Sequence, residues 1–471
     1  MNTECTPVQM EFQGLGKRKV VASFDGGHVS SDSGALLLRE LDSRLNIMDR
    51  LAACFTDHRD AELVEHTLPT LLRQRIFGLA LGYEDLNDHE RLRLDPLIAL
   101  ASGREDIEGK ERLHEVDRGK PLASPSTLNR LELTPEDANS DSRYKKLVYH
   151  TERIEALLVE LFLESFQSPP KELILDFDAT DDPLHGNQEG RFFHGYYGHY
   201  CYLPLYVTCG DELLVAKLRR SNIDACDGTV PELERLVRAI RAKFPHTRII
   251  MRGDSGFCRE QIMAWCEANK VYYVLGLAKN ARLIKFLEPA MFKATLRQSL
   301  TGVACREYVC FEYQTLQSWS RARRVIGKAE QLSGKSNPRF IVSNLPEDYA
   351  TPDALYEKLY CARGDMENRI KEQQLDLFAD RTSTHTMRAN QLRLWFSSVA
   401  YILMNRLRAT TLAGTEMARV TCGTIRIKLF KIAASLKVSV RRVVLHMPDA
   451  CPFQEIFVKA WEALQGMPRA A

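Results

Sequence analysis

Three acidic residues stand where a folded chain can bring carboxylates together. Asp178 follows the short apolar run Glu172 to Phe177, Asp254 follows Arg248 to Met251, and Glu367 lies much later in a helical stretch. Strand ends on one side of an open sheet line a crevice, so acids placed there can share a metal ion. Magnesium prefers oxygen ligands, and two such ions roughly 3.5–4 Å apart stabilise both the attacking and the leaving oxygen of a phosphodiester displacement. The first position is crowded, because Asp176, Asp178, Asp181 and Asp182 cluster and strand alternation puts Asp176 and Asp178 on one face. Asp178 is taken as the first ligand, with Asp176 left open as its rival.

Around the glutamate, Tyr360, Arg363, Glu367 and Gln374 are separated by three, four and seven residues and share one face of an α-helix. A guanidinium one turn before a carboxylate suits a phosphate site, where the acid holds metal and the arginine orients the acid or a phosphate oxygen. Taken alone, the same spacing describes an exposed Arg363–Glu367 ion pair.

The elements that must position these groups follow from the pattern. Before residue 170 the chain reads as helical: Asp32 or Ser33 caps a run through Leu36 to Leu45, a helix covers Thr70 to Gly82, and Thr134-Pro135-Glu136-Asp137 has the form of a helix start. A long helix from Ser142 to Phe166 is expected to end before Pro169-Pro170. Strands are then expected at Glu172 to Phe177, Tyr200 to Thr208, Glu212 to Leu218, Arg248 to Met251 and Val271 to Leu277, with helices at Pro231 to Phe244 and Arg259 to Asn269. Ala281 to Asn344 breaks this rhythm, with strands near Arg306 to Tyr313 and Arg339 to Val342, and helices resume at Thr351-Pro352.

The bulk properties exclude more than they assign. A chain of 471 residues with 45% hydrophobic and 27% charged residues is that of an ordinary globular protein of two to four domains. The net charge of +2 excludes a polycation and leaves local basic patches open. Met1 to Lys19 has no leader pattern, and the most apolar run, Leu394 to Met404, is too short for a bilayer, so a cytoplasmic protein with no membrane partner is expected. Twelve cysteines from Cys5 to Cys451 contain no C-x-x-C, which argues for reduced thiols without disulfides or zinc. Neither G-x-S-x-G nor a P-loop is present.

The motifs Leu175-Asp176-Phe177-Asp178-Ala179-Thr180-Asp181, His185-Gly186-Asn187-Gln188-Glu189-Gly190, Arg252-Gly253-Asp254-Ser255-Gly256-Phe257 and the Tyr360, Arg363, Glu367 spacing resemble the DDE transposases of bacterial insertion sequences. Within them the match is to the thirteen-eighty insertion-sequence family, over nearly the whole chain. The resemblance implies an α/β fold: a ribonuclease-H-like catalytic core with a β-rich insertion, preceded by a helical N-terminal DNA-binding region. The corresponding domains are 1–170, helical and binding terminal inverted repeats; 171–280, the first part of the core; 281–345, the insertion; 346–412, the remaining core with the glutamate helix; and 413–471, a basic C-terminal region. Carried over by position, Asp178, Asp254 and Glu367 are catalytic and bind two Mg²⁺ ions, for which Mn²⁺ substitutes, while Tyr360 and Arg363 support Glu367. The broader branch carries lysine seven residues after the glutamate, where this chain has Gln374; Arg369 and Lys371 lie nearby at a different helical phase.

For DNA contact, Trp319 could stack on an unpaired base while Arg321, Arg323 and Arg324 hold phosphate, against the alternative of a core tryptophan beside a solvated basic run. Arg381 to Arg442 is lopsidedly basic, with Arg388, Lys428 and Arg441 among the cations and Glu416 the acid against them. Arg73, Arg75, Lys145 and Lys146 are further phosphate candidates, with ordinary solvated helix faces as the alternative. The expected activity is metal-dependent cleavage at the ends of an insertion sequence followed by strand transfer into double-stranded target DNA, with a homodimer joining two ends. A nuclease without strand transfer and a non-catalytic DNA-binding repressor derived from a transposase are the rival readings.

Overall fold

The computed structural model describes residues 8–469 as two compact units. Cys5 and the opening of the Met1 to Lys19 stretch lie outside the described residues. One unit comprises residues 8–150, 376–378 and 399–469; the other is Thr151–Leu375 with Ala379–Ser398.

In the first unit, α1 (Ala35–Leu45) buries Leu37, Leu38 and Leu41, and α2 (Leu68–Leu81) opens on Thr67, whose hydroxyl accepts from the Thr70 amide. Gly34, not Asp32 or Ser33, is the N-cap of α1, and it makes no side-chain cap bond. The expected capping residues turn the other way: the Ser33 hydroxyl donates to the Ile432 carbonyl at 2.7 Å, and Asp32 accepts from Lys431 at 2.6 Å. A Cβ on Gly34 would come within 2.3 Å of Leu429 O and Phe430 Cα, so only glycine allows that approach. Residues 413–469, within the stretch 413–471 expected as a separate region, belong to the same unit as the N-terminal helices, with Ala434–Val438 pairing antiparallel to His28–Ser30.

One expected helix in this region is absent and another is shortened. Thr134 closes α3 (Pro125–Glu132) by donating its hydroxyl to the Arg130 carbonyl at 2.6 Å, and no helix starts there. Leu147–Tyr149 is a strand paired with Phe55–Asp57, so α4 (Thr151–Glu164) is shorter than the expected Ser142 to Phe166 helix and falls in the second unit.

The second unit is built on a nine-stranded mixed sheet. Its strands are β1 (Glu172–Ala179), β2 (Leu205–Cys209), β3 (Glu212–Lys217), β4 (Arg248–Gly253), β5 (Tyr272–Leu277), β6 (Cys305–Tyr313), β7 (Arg323–Leu332) and β8 (Arg339–Ser343), in the order β3-β2-β1-β4-β5-β8-β7-β6. Lys335–Ser336 pairs with β7 at the side. Strands β1, β4 and β5 are parallel; the others join antiparallel. The expected strand Tyr200 to Thr208 is broken at Leu203-Pro204, since proline has no amide to give a ladder.

Helix α5 (Thr229–Lys243) buries Leu233, Leu236, Val237 and Ile240, the three-and-four spacing of one helical face, against a core that includes Leu175, Phe177, Val207 and Met251. Fully burying each such side chain contributes about 1.5–3 kcal/mol, and this anchors the strands whose ends carry the acids. With α6 (Glu260–Ala268) between β4 and β5, the expected strand and helix alternation is present.

The stretch 281–345 carries its expected strands and one helix that was not expected. It opens with the 21-residue helix α7 (Ala281–Thr301), and its strands β6, β7 and β8 extend the central sheet.

Candidate active site

Parallel pairing of β1 with β4 puts Asp176 in register with Arg252. The Arg252 guanidinium grips both oxygens of Asp176, with Nη2 to Oδ2 at 2.7 Å, and a further nitrogen donates to the Leu359 carbonyl. Asp176 is thus a buried structural anion, engaged on both oxygens. Two residues on, Asp178 reaches the C-terminal end of β1 with its side chain 15% exposed.

Asp254 follows β4 and caps the tight turn Ser255–Phe257, its Oδ1 accepting from the Gly256 amide at 2.8 Å. Its Oδ2 has no hydrogen bond among the described residues.

The helical run from Pro352 changes pitch twice before the glutamate: it is π-wound over Leu355–Tyr360, tight over Cys361–Arg363, and regular in α8 (Gly364–Leu377). Pitch irregularities of this kind re-aim side chains and concentrate at functional sites. Here they bring Tyr360, Arg363 and Glu367 toward the strand ends. Arg363 donates from Nη2 to Glu367 Oε1 at 2.7 Å and stands 3.6 Å from Asp178 Oδ2. The Tyr360 hydroxyl lies over Gly276 of β5, where a Cβ would come within 2.6 Å of it. That approach was unpredicted, and glycine inside a strand was its only signal.

The electrostatics bind the group together. Burial pushes the Asp178 carboxyl up to about 7; Arg363 opposes the shift, while the charges of Asp254 and Glu367 add to it. Burial likewise raises the Tyr360 phenol, again opposed by Arg363 and assisted by Asp254. Tyr197 is a neighbour that sequence reasoning did not single out; burial, Asp181 and Asp178 push its phenol up to about 12. Nearby, Asp181 is bonded to His199 at 2.8 Å.

Oxygen donors of this kind suit magnesium or manganese, and a buried carboxyl raised by like charges is one that a cation would stabilise. Among the described residues, no three His, Cys, Asp or Glu side chains are gathered closely enough to hold an ion. A guanidinium occupies the space between Asp178 and Glu367 instead.

Gln374, at the position of the missing lysine, donates to the Asp181 carbonyl at 3.2 Å and so ties α8 to the segment after β1. Arg369 pairs with Asp211, and Lys371 is exposed.

The residues expected to touch DNA separate into two kinds. Trp319 is only 6% exposed, packed edge-on against Tyr313, with Arg323 stacked over its ring. Arg323 is buried and spent on Glu267 and Glu260, at 2.8 and 2.6 Å. Arg324 donates to the carbonyls of Leu345 and Pro346. These side chains hold β7 to its neighbours, and Trp319 presents no open face for a base. In the basic stretch, Arg408 and Arg426 bond backbone carbonyls inside the fold. Arg388 is half-buried, Lys428 lies over the Phe453 ring, and Arg441 is exposed. Arg73 is held by Asp42 and Asp49, and buried Arg75 by Glu132, while Lys145 is exposed.

Among the described residues no helix is long and apolar enough to cross a membrane. The family model for the transposase DDE domain group 1 matches residues 12–469. No curated protein matches the chain.

Proposed function

The chain belongs to the transposase DDE domain group 1 family, and from that premise we propose that it cuts DNA at the ends of an insertion sequence and joins those ends to target DNA. The observation that carries this reading is Arg363 set between Asp178 and Glu367, at 3.6 and 2.7 Å, with the charge of Asp254 acting on the same group. We read strands β1 to β5 with α8 as a ribonuclease-H-like core, and the motif residues as those of the thirteen-eighty insertion-sequence branch. The DNA partners on this reading are the terminal inverted repeats and a duplex target, brought together by a homodimer.

Asp178, Asp254 and Glu367 would hold two magnesium ions, for which manganese substitutes. When bound, such ions supply an activated water or 3′-hydroxyl and neutralise charge on the phosphate oxygens. The chain's own part is to hold these acids and to exclude bulk water around Asp178. Arg363 keeps Glu367 oriented and would offer a guanidinium edge to a phosphate oxygen. Tyr360, packed on Gly276, fixes the start of the helix that carries both.

The test is cleavage and joining of DNA carrying the flanking element ends, with magnesium or manganese, by wild type and by Asp178→Asn, Asp254→Asn and Glu367→Gln. Wild type is expected to give joined products, and each variant to bind the ends while losing chemistry by a factor on the order of 10³ or more. Cut but unjoined products from wild type would make the protein a nuclease. Binding alone by wild type would make it a repressor, and normal joining by Asp254→Asn would remove the site assignment.

A further inference from the structure

A cavity of about 690 Å³ in the unit that holds the N-terminal helices is lined by Arg130, Arg143, Lys146 and His66, among others. Three features of this lining ask for a ligand. Arg130 and Arg143 are exposed and flank the Tyr144 ring, each 4.8 Å from its centroid, and neither has an ion pair among the described residues. Lys146 donates only to the Ser140 carbonyl. Of the acids lining the same cavity, Glu65 is forked onto Arg112 and Asp117 stands 3.7 Å from Arg93. Asp60, which accepts from the Glu62 amide, is the one lining carboxylate without a cation among the described residues, against three such cations. The uncompensated charge is therefore positive.

His66 supplies the independent observation. It is 5% exposed, and neither ring nitrogen has a hydrogen-bond partner among the described residues. A buried polar group left without partners costs about 1–3 kcal/mol, and a ligand in this cavity would offer His66 the partners it lacks. Burial and the neighbouring Arg112 and Arg104 push the imidazole down to about 4, which leaves it neutral at physiological pH. A neutral imidazole offers one N–H donor and one acceptor. Its natural complement is a group that both donates and accepts, as a nucleobase edge or a sugar hydroxyl does.

We propose that this cavity binds a single nucleotide, with Arg130, Arg143 and Lys146 on the phosphate and His66 on the base or sugar. Inorganic phosphate would satisfy the cations and leave His66 unmet and most of the space unfilled. The volume lies within the roughly 300–1,000 Å³ of small-molecule sites. The nucleotide has two possible sources, a residue of a single DNA strand or a free mononucleotide. No residue of the carboxylate site takes part, so the proposal does not depend on the catalytic reading.

The experiment uses the full chain with dAMP, a fluorescent single-stranded oligonucleotide and inorganic phosphate as probes, followed by calorimetry and anisotropy. The proteins are wild type, Arg130→Gln/Arg143→Gln, His66→Phe and, as a control, Asp254→Asn. Wild type and the control are expected to bind dAMP alike. The double variant and His66→Phe should each weaken binding about tenfold with the melting temperature of the double variant unchanged, as its two side chains are exposed. Competition between dAMP and the oligonucleotide would identify a strand residue as the ligand, and dAMP binding without competition a free nucleotide; both support the site. The proposal is overturned if dAMP does not bind, if phosphate competes as well as dAMP does, or if the double variant binds like wild type.

Discussion

Arg252 and Asp176 face each other in register across the parallel strands β4 and β1 and join through both carboxylate oxygens. This pairing divides two aspartates that the sequence places on one face. Asp176→Asn leaves Arg252 buried without its anion and should cost roughly 3–5 kcal/mol of stability. Asp178→Asn should abolish joining without such a loss. Chemical denaturation of both variants beside a joining assay checks the division, and an unstable Asp178→Asn with a stable Asp176→Asn would reverse the roles.

The raised Asp178 carboxyl fixes a pH dependence of stability. Its folded value, about 7, lies above its ordinary value of 3.8, so between those limits the folded state keeps a proton that the unfolded chain has released. The contribution of Asp178 is therefore most favourable below about pH 4, declines as pH rises, and is least favourable above about pH 7. Asp178→Asn has no such proton to lose and should be more stable than wild type at pH 8, by roughly 1–4 kcal/mol, with the difference vanishing near pH 4. Urea melts across this range in EDTA measure it. Parallel profiles for the two proteins would show that the carboxyl is not raised.

Arg323 and Arg441 make opposite predictions although both are arginines in basic surroundings. Arg323→Gln removes the buried cation that Glu260 and Glu267 share, leaving Glu267 with Arg321 and Tyr273 and Glu260 with Ser320, and uncovers the Trp319 ring. Stability should therefore fall by roughly 3 kcal/mol while DNA affinity of the folded protein is unchanged. Arg441→Gln should leave stability within about 0.5 kcal/mol. If Arg441 contacts phosphate, affinity drops and the salt dependence becomes shallower by about one counterion. Binding isotherms at several salt concentrations distinguish the two; a Arg323→Gln protein that is stable but binds DNA poorly would return that residue to the DNA surface.

What was legible in the sequence, and what was not, follows from how far apart the interacting residues lie. The runs ending at Asp178 and Asp254 are short, apolar and bounded by turns, so strand and acid could be read together. Arg363 and Glu367 are one turn apart, and their pairing is local. Arg323, in contrast, is answered by Glu260 and Glu267, 63 and 56 residues away, and nothing in the run Arg321 to Arg324 announces them. The turn of Ser33 toward Ile432 spans 399 residues, and an N-cap reading based on neighbours misses it. Helix α7 was hidden for another reason: Pro289 sits inside it, and exposed Phe292, Leu296 and Leu300 blur its polar face.

Gly276 gives the sharpest test of how the glutamate helix is held. A Cβ there would meet the Tyr360 hydroxyl at 2.6 Å and the Ser255 amide nitrogen at 2.9 Å, so Gly276→Ala forces both neighbours to move. One of them begins the turn capped by Asp254, and the other precedes Arg363 and Glu367. Overpacking of this kind costs about 1–3 kcal/mol, and cutting should slow more than DNA binding weakens, because the shift falls on the acids. Adding Tyr360→Phe removes the hydroxyl responsible for the shorter contact, so Gly276→Ala/Tyr360→Phe should recover part of the stability and part of the rate. The recovery stays partial because the Ser255 contact is made by backbone. Should Tyr360→Phe deepen the defect by the same amount as it does alone, the two residues act independently, and the packing of Tyr360 on Gly276 is not what positions the helix.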